Sequence, residues 1–393
     1  MNSVITINGE EVMAAVNTAA KKIELYADSV DKNGVFPLES IGVLRESGLM
    51  GILIPEQHGG FGASLSQFSD ACRMIAGACL STGMIWSMHV QQSVLLAEYG
   101  SDSLKKRLLP QIAGGEAYIV SVTSDVNTGS QAFNTNSVLE IIEDYASIVR
   151  HAPTATGAEY GDGFLITMKE HRENSNLLFV YAEKQQISLQ LNSGWSSMGM
   201  RGTQSCAISI DGKVPVDQII SPETARFEEI NQRVMAPVGH IAWASCWLGA
   251  VKEVYKKMVK TFRHPDHRKR FSLQSESFLE KLAKIRQKID VVETYLNSYI
   301  RDYTEMLSSQ NESSQAFAST AFKMKTNNLK IVASDYLFEA VNQLIDISGL
   351  AFGYLKNDHV PLERVFRDIR SASMMINNQK LLLVNGTLAL IER

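Results

Sequence analysis

The chain is poor in several features, and each scarcity removes a class of function. Its 393 residues include four cysteines, Cys72, Cys79, Cys206 and Cys246, at spacings that fit no zinc site. Cys72 and Cys79 are seven apart, on one face of a helix, where cysteine serves as a small hydrophobe. With no disulfide framework, a reducing cytoplasm is the expected compartment. The opening MNSVITINGEE has no basic stretch followed by an apolar core, so no signal peptide is read there. No apolar run approaches the roughly 20 residues that span a bilayer, and no membrane partner is expected. A net charge of −4 leaves no positive excess for nucleic acid. GxGxxG, GxxxxGK followed by Ser or Thr, and HExxH are all missing, which disfavours a Rossmann site, a P-loop and a zincin centre.

What remains is ordinary globular material, 45% hydrophobic and 20% charged, long enough for two or three domains. Three zones differ in texture. Up to about residue 113 the period is helical, as in the stripe Phe68, Cys72, Ile75, Ala76 and Cys79. Pro37 can open a short helix, Pro55 with Gly59, Gly60 and Gly62 marks a loop, and Ser101 is placed to cap a helix over 104–112. Short β-rich pieces follow at 117–122, 137–142, 146–150, 163–168, 177–181 and 206–210, the pattern of an antiparallel barrel or sandwich. From about 223 the helical period returns in segments long enough for a bundle. The reading is an α+β protein: an N-terminal helical domain over 1–115, a β domain over 116–222, and a C-terminal helical bundle over 223–393.

Two polar segments stand out. RHPDHRKRF carries His264 and His267 around Pro265, which argues against a helix presenting both to a metal. Arg263, Arg268, Lys269 and Arg270 form the densest positive cluster, readable as a solvated turn or a phosphate contact. SVTSDVNTGSQ, at 121–131, offers hydroxyl, amide and backbone donors to a polar ligand edge, or is simply a turn.

Five segments in order resemble the acyl-CoA dehydrogenase superfamily. They are GLMGILIPEQHGGFG at 48–62, GSDSLKKRLLPQIAGGE at 100–116, SVTSDVNTGSQ, GWSSMGMRGTQS at 194–205 and HVPLERVFRDIR at 359–370. The resemblance implies a four-helix bundle at the C-terminus and a FAD lying between β domain and bundle. It also implies a homodimer or homotetramer in which a neighbouring subunit completes the flavin site. Residue by residue, Thr123 and Ser124 match the pair beside the flavin ring, and Gly129 and Ser130 match a following Gly-Ser. Thr156 takes the place of a flavin-contacting threonine, while Thr154 replaces an aromatic that packs on the ring. On the ADP side, RKRFSLQ is a degraded match that offers Arg268 and Phe271. Gly349 and Gly353 loosely stand for a paired glycine.

The resemblance also exposes a gap. These enzymes remove an α-proton with a glutamate while hydride leaves for the flavin. At the two positions the superfamily uses for that acid, this chain has Ile376 and Met235. One implied function is oxidation of an acyl thioester, on coenzyme A or an acyl carrier protein, with another base. A second is a flavin-dependent monooxygenase using reduced flavin, FMN or FAD, and oxygen on a small molecule. A third is a non-catalytic flavin-binding relative. Candidate catalytic residues are His89, His240, Asn377 and Asn378; the plainer readings are a packed helix histidine for His89 and a cap or turn for the asparagines.

Overall fold

The computed structural model describes residues 9–124, 135–171, 176–220, 225–309, 314–357 and 359–392. Six helices come first: α1 (Gly9–Glu24), α2 (Ala27–Asn33), α3 (Leu38–Glu46), α4 (Leu65–Ala78), α5 (Leu80–Tyr99) and α6 (Asp102–Ala113). Ser64 and Gln67 close α4 with a reciprocal capping box, and the Ser101 hydroxyl accepts the Leu104 amide at the head of α6. The Phe68–Ile75 stripe is buried. α5 is apolar on nearly every side and runs through the middle of the protein, as such a helix must.

Eight strands follow: β1 (Ile119–Val122), β2 (Glu140–Ile142), β3 (Tyr145–Thr156), β4 (Gly163–Lys169), β5 (Leu177–Glu183), β6 (Ile187–Leu191), β7 (Ser205–Pro215) and β8 (Ile219–Ile220). They form two four-stranded sheets, ordered β1-β4-β5-β8 and β2-β3-β7-β6. All pairs are antiparallel except β1 with β4, which is parallel and departs from the expected pattern. β6 and β8 escaped the sequence reading because one is half-exposed and the other only two residues long.

The chain then returns to helix: α7 (Phe227–Ile230), a π-helical turn (Asn231–Met235), α8 (Ala236–Arg263), α9 (Glu276–Ser308), α10 (Ser314–Ala318), α11 (Thr320–Gly349), α12 (Leu362–Ile369), α13 (Ala372–Met375) and α14 (Asn378–Ile391). Phe227–Arg263 is long and apolar enough to cross a membrane by length and composition, but its apolar window is 94% buried inside the protein. That apolarity is used at the crossing with α4, where the backbone of Arg73 leaves no room for a side chain at Gly249. All four cysteines are free and buried.

The β layer is fastened to the bundle by two of the sequence motifs. The Met200 amide donates to Asp368 Oδ1 at 2.5 Å, and Arg367 makes a two-pronged pair with Asp31 on α2, at 3.0 and 2.7 Å. A Cβ at Gly199 would overlap the Arg367 carbonyl, so only glycine lets the two segments touch. Burial pushes the Asp368 carboxyl up to about 7, partly offset by the Met200 hydrogen bond.

Candidate active site

A cavity of about 450 Å³ opens between the β layer, α5 and the bundle. Met84, Met88 and Gln91 face it from α5, at helical spacing. Thr123, Ser124, Thr154, Thr156 and Ser205 face it from the β layer. Met235, His240 and Trp243 approach along α8, and Met374, Met375 and Ile376 close the remaining side. Met235 and Ile376, far apart in sequence, thus meet across one space. Among the described residues no aspartate or glutamate lines it, and His240 is its one titratable group.

The β-layer wall has a fixed direction of hydrogen bonding. Thr203 Oγ1 donates to the Met200 carbonyl, Ser205 Oγ donates to Thr203 Oγ1, and Ser205 therefore accepts from Thr156 Oγ1, each at 2.9 Å. Thr156 has spent its hydrogen, so its oxygen offers only lone pairs to anything in the cavity. Ser124 Oγ donates to the Thr154 carbonyl at 2.8 Å. Behind this wall lies Arg150, fully buried on β3, which donates to the Ser124 carbonyl at 2.5 Å and the His151 carbonyl at 3.0 Å. Arg150 carries no motif, and sequence reasoning passed over it.

On the α8 side, Pro237 cannot donate to the carbonyl four residues back. That carbonyl, on Arg233, accepts the Tyr303 hydroxyl instead, and the Met235 carbonyl takes Gln91 Nε2 at 2.6 Å. The π turn ends at Met235, which with His240 lies on the cavity wall. His240 Nδ1 lies 2.9 Å from the Thr326 carbonyl, an acceptor, so Nδ1 carries the hydrogen. Nε2 is then the lone-pair nitrogen. Burial pushes the ring down to about 4, with Lys330 adding to the effect, so the imidazole is neutral at pH 7.

The other expected catalytic residues lie elsewhere. His89 is buried on α5 outside the cavity. Its Nδ1 accepts the Ile119 amide at 2.9 Å, and Nε2 donates to the Met50 carbonyl at 3.1 Å. Both nitrogens are occupied by backbone, and burial pushes the ring down to about 3. Asn377 is exposed and caps α14 by accepting the Gln379 amide at 2.9 Å. Asn378 is buried beside the cavity wall in a cluster with Lys330, Ser334 and Asp335.

Two family models account for most of the chain. Residues 10–116 match the acyl-CoA dehydrogenase N-terminal domain, and residues 234–375 match the C-terminal domain. The chain belongs to the acyl-CoA dehydrogenase superfamily. Within it, the chain is 26% identical over 381 residues to the probable acyl-CoA dehydrogenase YngJ of Bacillus subtilis, covering 94% of each chain. The fold is shared with FMN-bound TdsC of Paenibacillus sp. A11-2, at a TM-score of 0.84 and 17% identity over 97% of this chain and 98% of that one. It is shared equally with butyryl-CoA dehydrogenase of Megasphaera elsdenii, at 0.82 and 18% over 99% and 100%.

The remaining residues expected from the superfamily form a second cluster. Arg268 and Phe271 lie in the turn between α8 and α9, on a cleft of about 680 Å³ that Arg263 and Lys269 also line. Gly353 lies in the π turn after α11 and Gly349 just before it, and Phe352 of that turn packs against Phe271 and His267, with ring centroids 5.9 and 5.2 Å apart. His264 sits 5.2 Å from His267, its Nδ1 3.6 Å from Asp266, and no metal-binding group occurs among the described residues. Gly129 and Ser130 lie outside the described residues. Sequence reasoning missed Met84, Met88, Gln91, Trp195 and Trp243. The helical spacing of the first three was available as a signal, but a core face has the same spacing.

Proposed function

We propose that the chain is a flavin-dependent oxidoreductase of the acyl-CoA dehydrogenase type that oxidises an acyl thioester, with His240 receiving the α-proton. One observation carries the assignment: among the described residues His240 is the only ionisable side chain on the cavity, oriented by Thr326 and neutral at pH 7. An imidazole lowered to about 4 has nearly the basicity of a glutamate, ordinarily near 4.3, so it can replace the absent acid without a change of pH range. Trp243 adds an indole N–H that has no hydrogen-bond partner among the described residues.

The residues fit a flavin. Thr156 presents a pure acceptor on the β-layer wall, Thr123 and Ser124 adjoin it, and Arg150 braces the Ser124 carbonyl. Arg263, Arg268 and Lys269 supply positive charge on the second cleft for a pyrophosphate, which favours FAD. The flavin supplies a two-electron acceptor for the hydride leaving the substrate. The chain holds the thioester against that acceptor, keeps water out with Met84, Met88, Met235 and Ile376, and takes the proton at His240 Nε2.

A second reading is monooxygenation with reduced flavin, FMN or FAD, and oxygen. The methionine-rich lining, free of carboxylates among the described residues, favours it, as does the shared fold with TdsC, described as a dibenzothiophene monooxygenase. Anaerobic reduction of bound flavin by a panel of acyl-CoA and acyl-carrier thioesters separates the two. Bleaching by a thioester supports the first reading. Turnover only with reduced flavin and oxygen supports the second, and inertness in both arms sinks both.

The assembly that supports this chemistry is a homo-oligomer. Leu382, Leu383, Val384, Leu390 and Ile391 leave α14 apolar and exposed in the single chain, a surface a second copy would cover. Light scattering on the eluted protein checks the stoichiometry, and a monomer at micromolar concentration rejects it.

A further inference from the structure

Among the described residues one lysine is fully buried, Lys330 on α11. An ammonium ion taken out of water is costly unless acceptors surround it. Lys330 Nζ donates to the main-chain carbonyl of Ile376 and to Asn378 Oδ1, the latter at 2.5 Å. Asn378 Nδ2 in turn donates to Ser334 Oγ at 2.9 Å and to Asp335 Oδ1 at 2.7 Å. Lys330 and Ser334 are one helical turn apart, so a single face of α11 grips the link between α13 and α14. Ile376, whose side chain lines the cavity, is therefore held from behind by an ammonium ion. Thr326, one turn earlier on the same helix, is the residue whose carbonyl orients His240.

We propose that Lys330 is the positioning residue of this site: it fixes the Ile376 wall, and its positive charge opposes a second one on His240. The proposal rests on the reading of this cavity as the reaction site. Burial pushes Lys330 down to about 8, so it is still charged at neutral pH. The charged group acting on it is Asp335, on its own helix, and Lys330 in turn acts on the neutral His240 ring across on α8. Residues 372–378, packed against it, carry no charge. Ile376 and His240 thus share one support.

The test uses the full chain supplied with FAD and needs no substrate. In Lys330→Met, the His240 ring, followed by histidine NMR and assigned with His240→Gln, is expected to titrate higher by about half a unit or more. Amide exchange over 371–378 is expected to quicken about tenfold or more, while α4 is unchanged. Lys330→Arg keeps the charge but not the fit, and should quicken exchange without moving His240. An unmoved His240 in Lys330→Met overturns the electrostatic role, and unchanged exchange overturns the positioning role. Should Lys330→Met fail to fold, Asn378→Ala must still quicken exchange over 371–378, and Lys330→Gln repeats the titration; no change in either overturns the proposal. Failure of the thioester panel would leave these readouts intact, so the two ideas fail separately.

Discussion

His89 on α5 and His240 on α8 are buried alike, and each has one ring nitrogen on a backbone carbonyl. They differ at the second nitrogen. In His89 it accepts the Ile119 amide, so the ring joins the Met50 turn to the first strand and has nothing left to offer a ligand. In His240 it has no partner among the described residues, on a ring that lines a cavity. The lesson is that burial and a lowered basicity do not mark a catalytic histidine. An uncommitted lone pair facing open space is what a proton acceptor needs.

Removing His240 should have the largest effect. His240→Gln is expected to lower kcat by about 10²–10⁴-fold, the usual contribution of a positioned proton acceptor, with flavin still bound. A loss below tenfold, in whichever arm of the flavin assay gives turnover, would erase the contrast. His89→Leu should act on stability instead. It strands the Ile119 amide and the Met50 carbonyl, each at a cost of about 1–3 kcal/mol, while turnover per folded molecule stays within a few-fold. Urea melts with parallel assays check this.

Acid should then separate the two sites by degree. Both rings bind a proton more readily unfolded, near 6.5, than folded, near 3 and 4. At these rings the unfolded state therefore gains protons first, and their contribution to stability is lost as pH falls from about 6.5 through the folded values, against an opposite contribution from Asp368, raised to about 7. In melts at successive pH, His240→Gln should about halve the two rings' share of the slope between pH 4 and 6.5 and leave unchanged the part below pH 4, which belongs to His89. The smallest effect belongs to Asn377→Ala, which removes a helix cap worth about 0.5–2 kcal/mol and leaves turnover unchanged within twofold. A large drop in turnover there would return Asn377 to the site.

The order of layers was legible because period is a local property: the Phe68–Ile75 stripe and the short β pieces announce themselves. The vacancy of both acid positions was legible too, by counting from motifs. That Met235 and Ile376 line one cavity required the fold. That His89 is a packed helix histidine was the plainer reading, but what it ties together was not legible, because its partners, Met50 and Ile119, are backbone atoms of distant segments whose side chains carry no signal. Lys330 was hidden for a related reason. A lysine amid Leu329, Ile331 and Ala333 reads as a solvated position, and only the returning chain at Ile376 supplies the acceptors that let it be buried.

The contact between Gly199 and Arg367 has a further bearing on what the enzyme can accept. The loop leading into β7 and helix α12 approach until backbone meets backbone, with the Met200–Asp368 hydrogen bond beside the stop. The gap across the cavity is thus a gauge block ground to zero clearance at one edge, which no rearrangement of flexible side chains can reset. Substrate range would then be tuned by exchanging the methionines that pad the interior, since the spacing of the walls themselves is not adjustable.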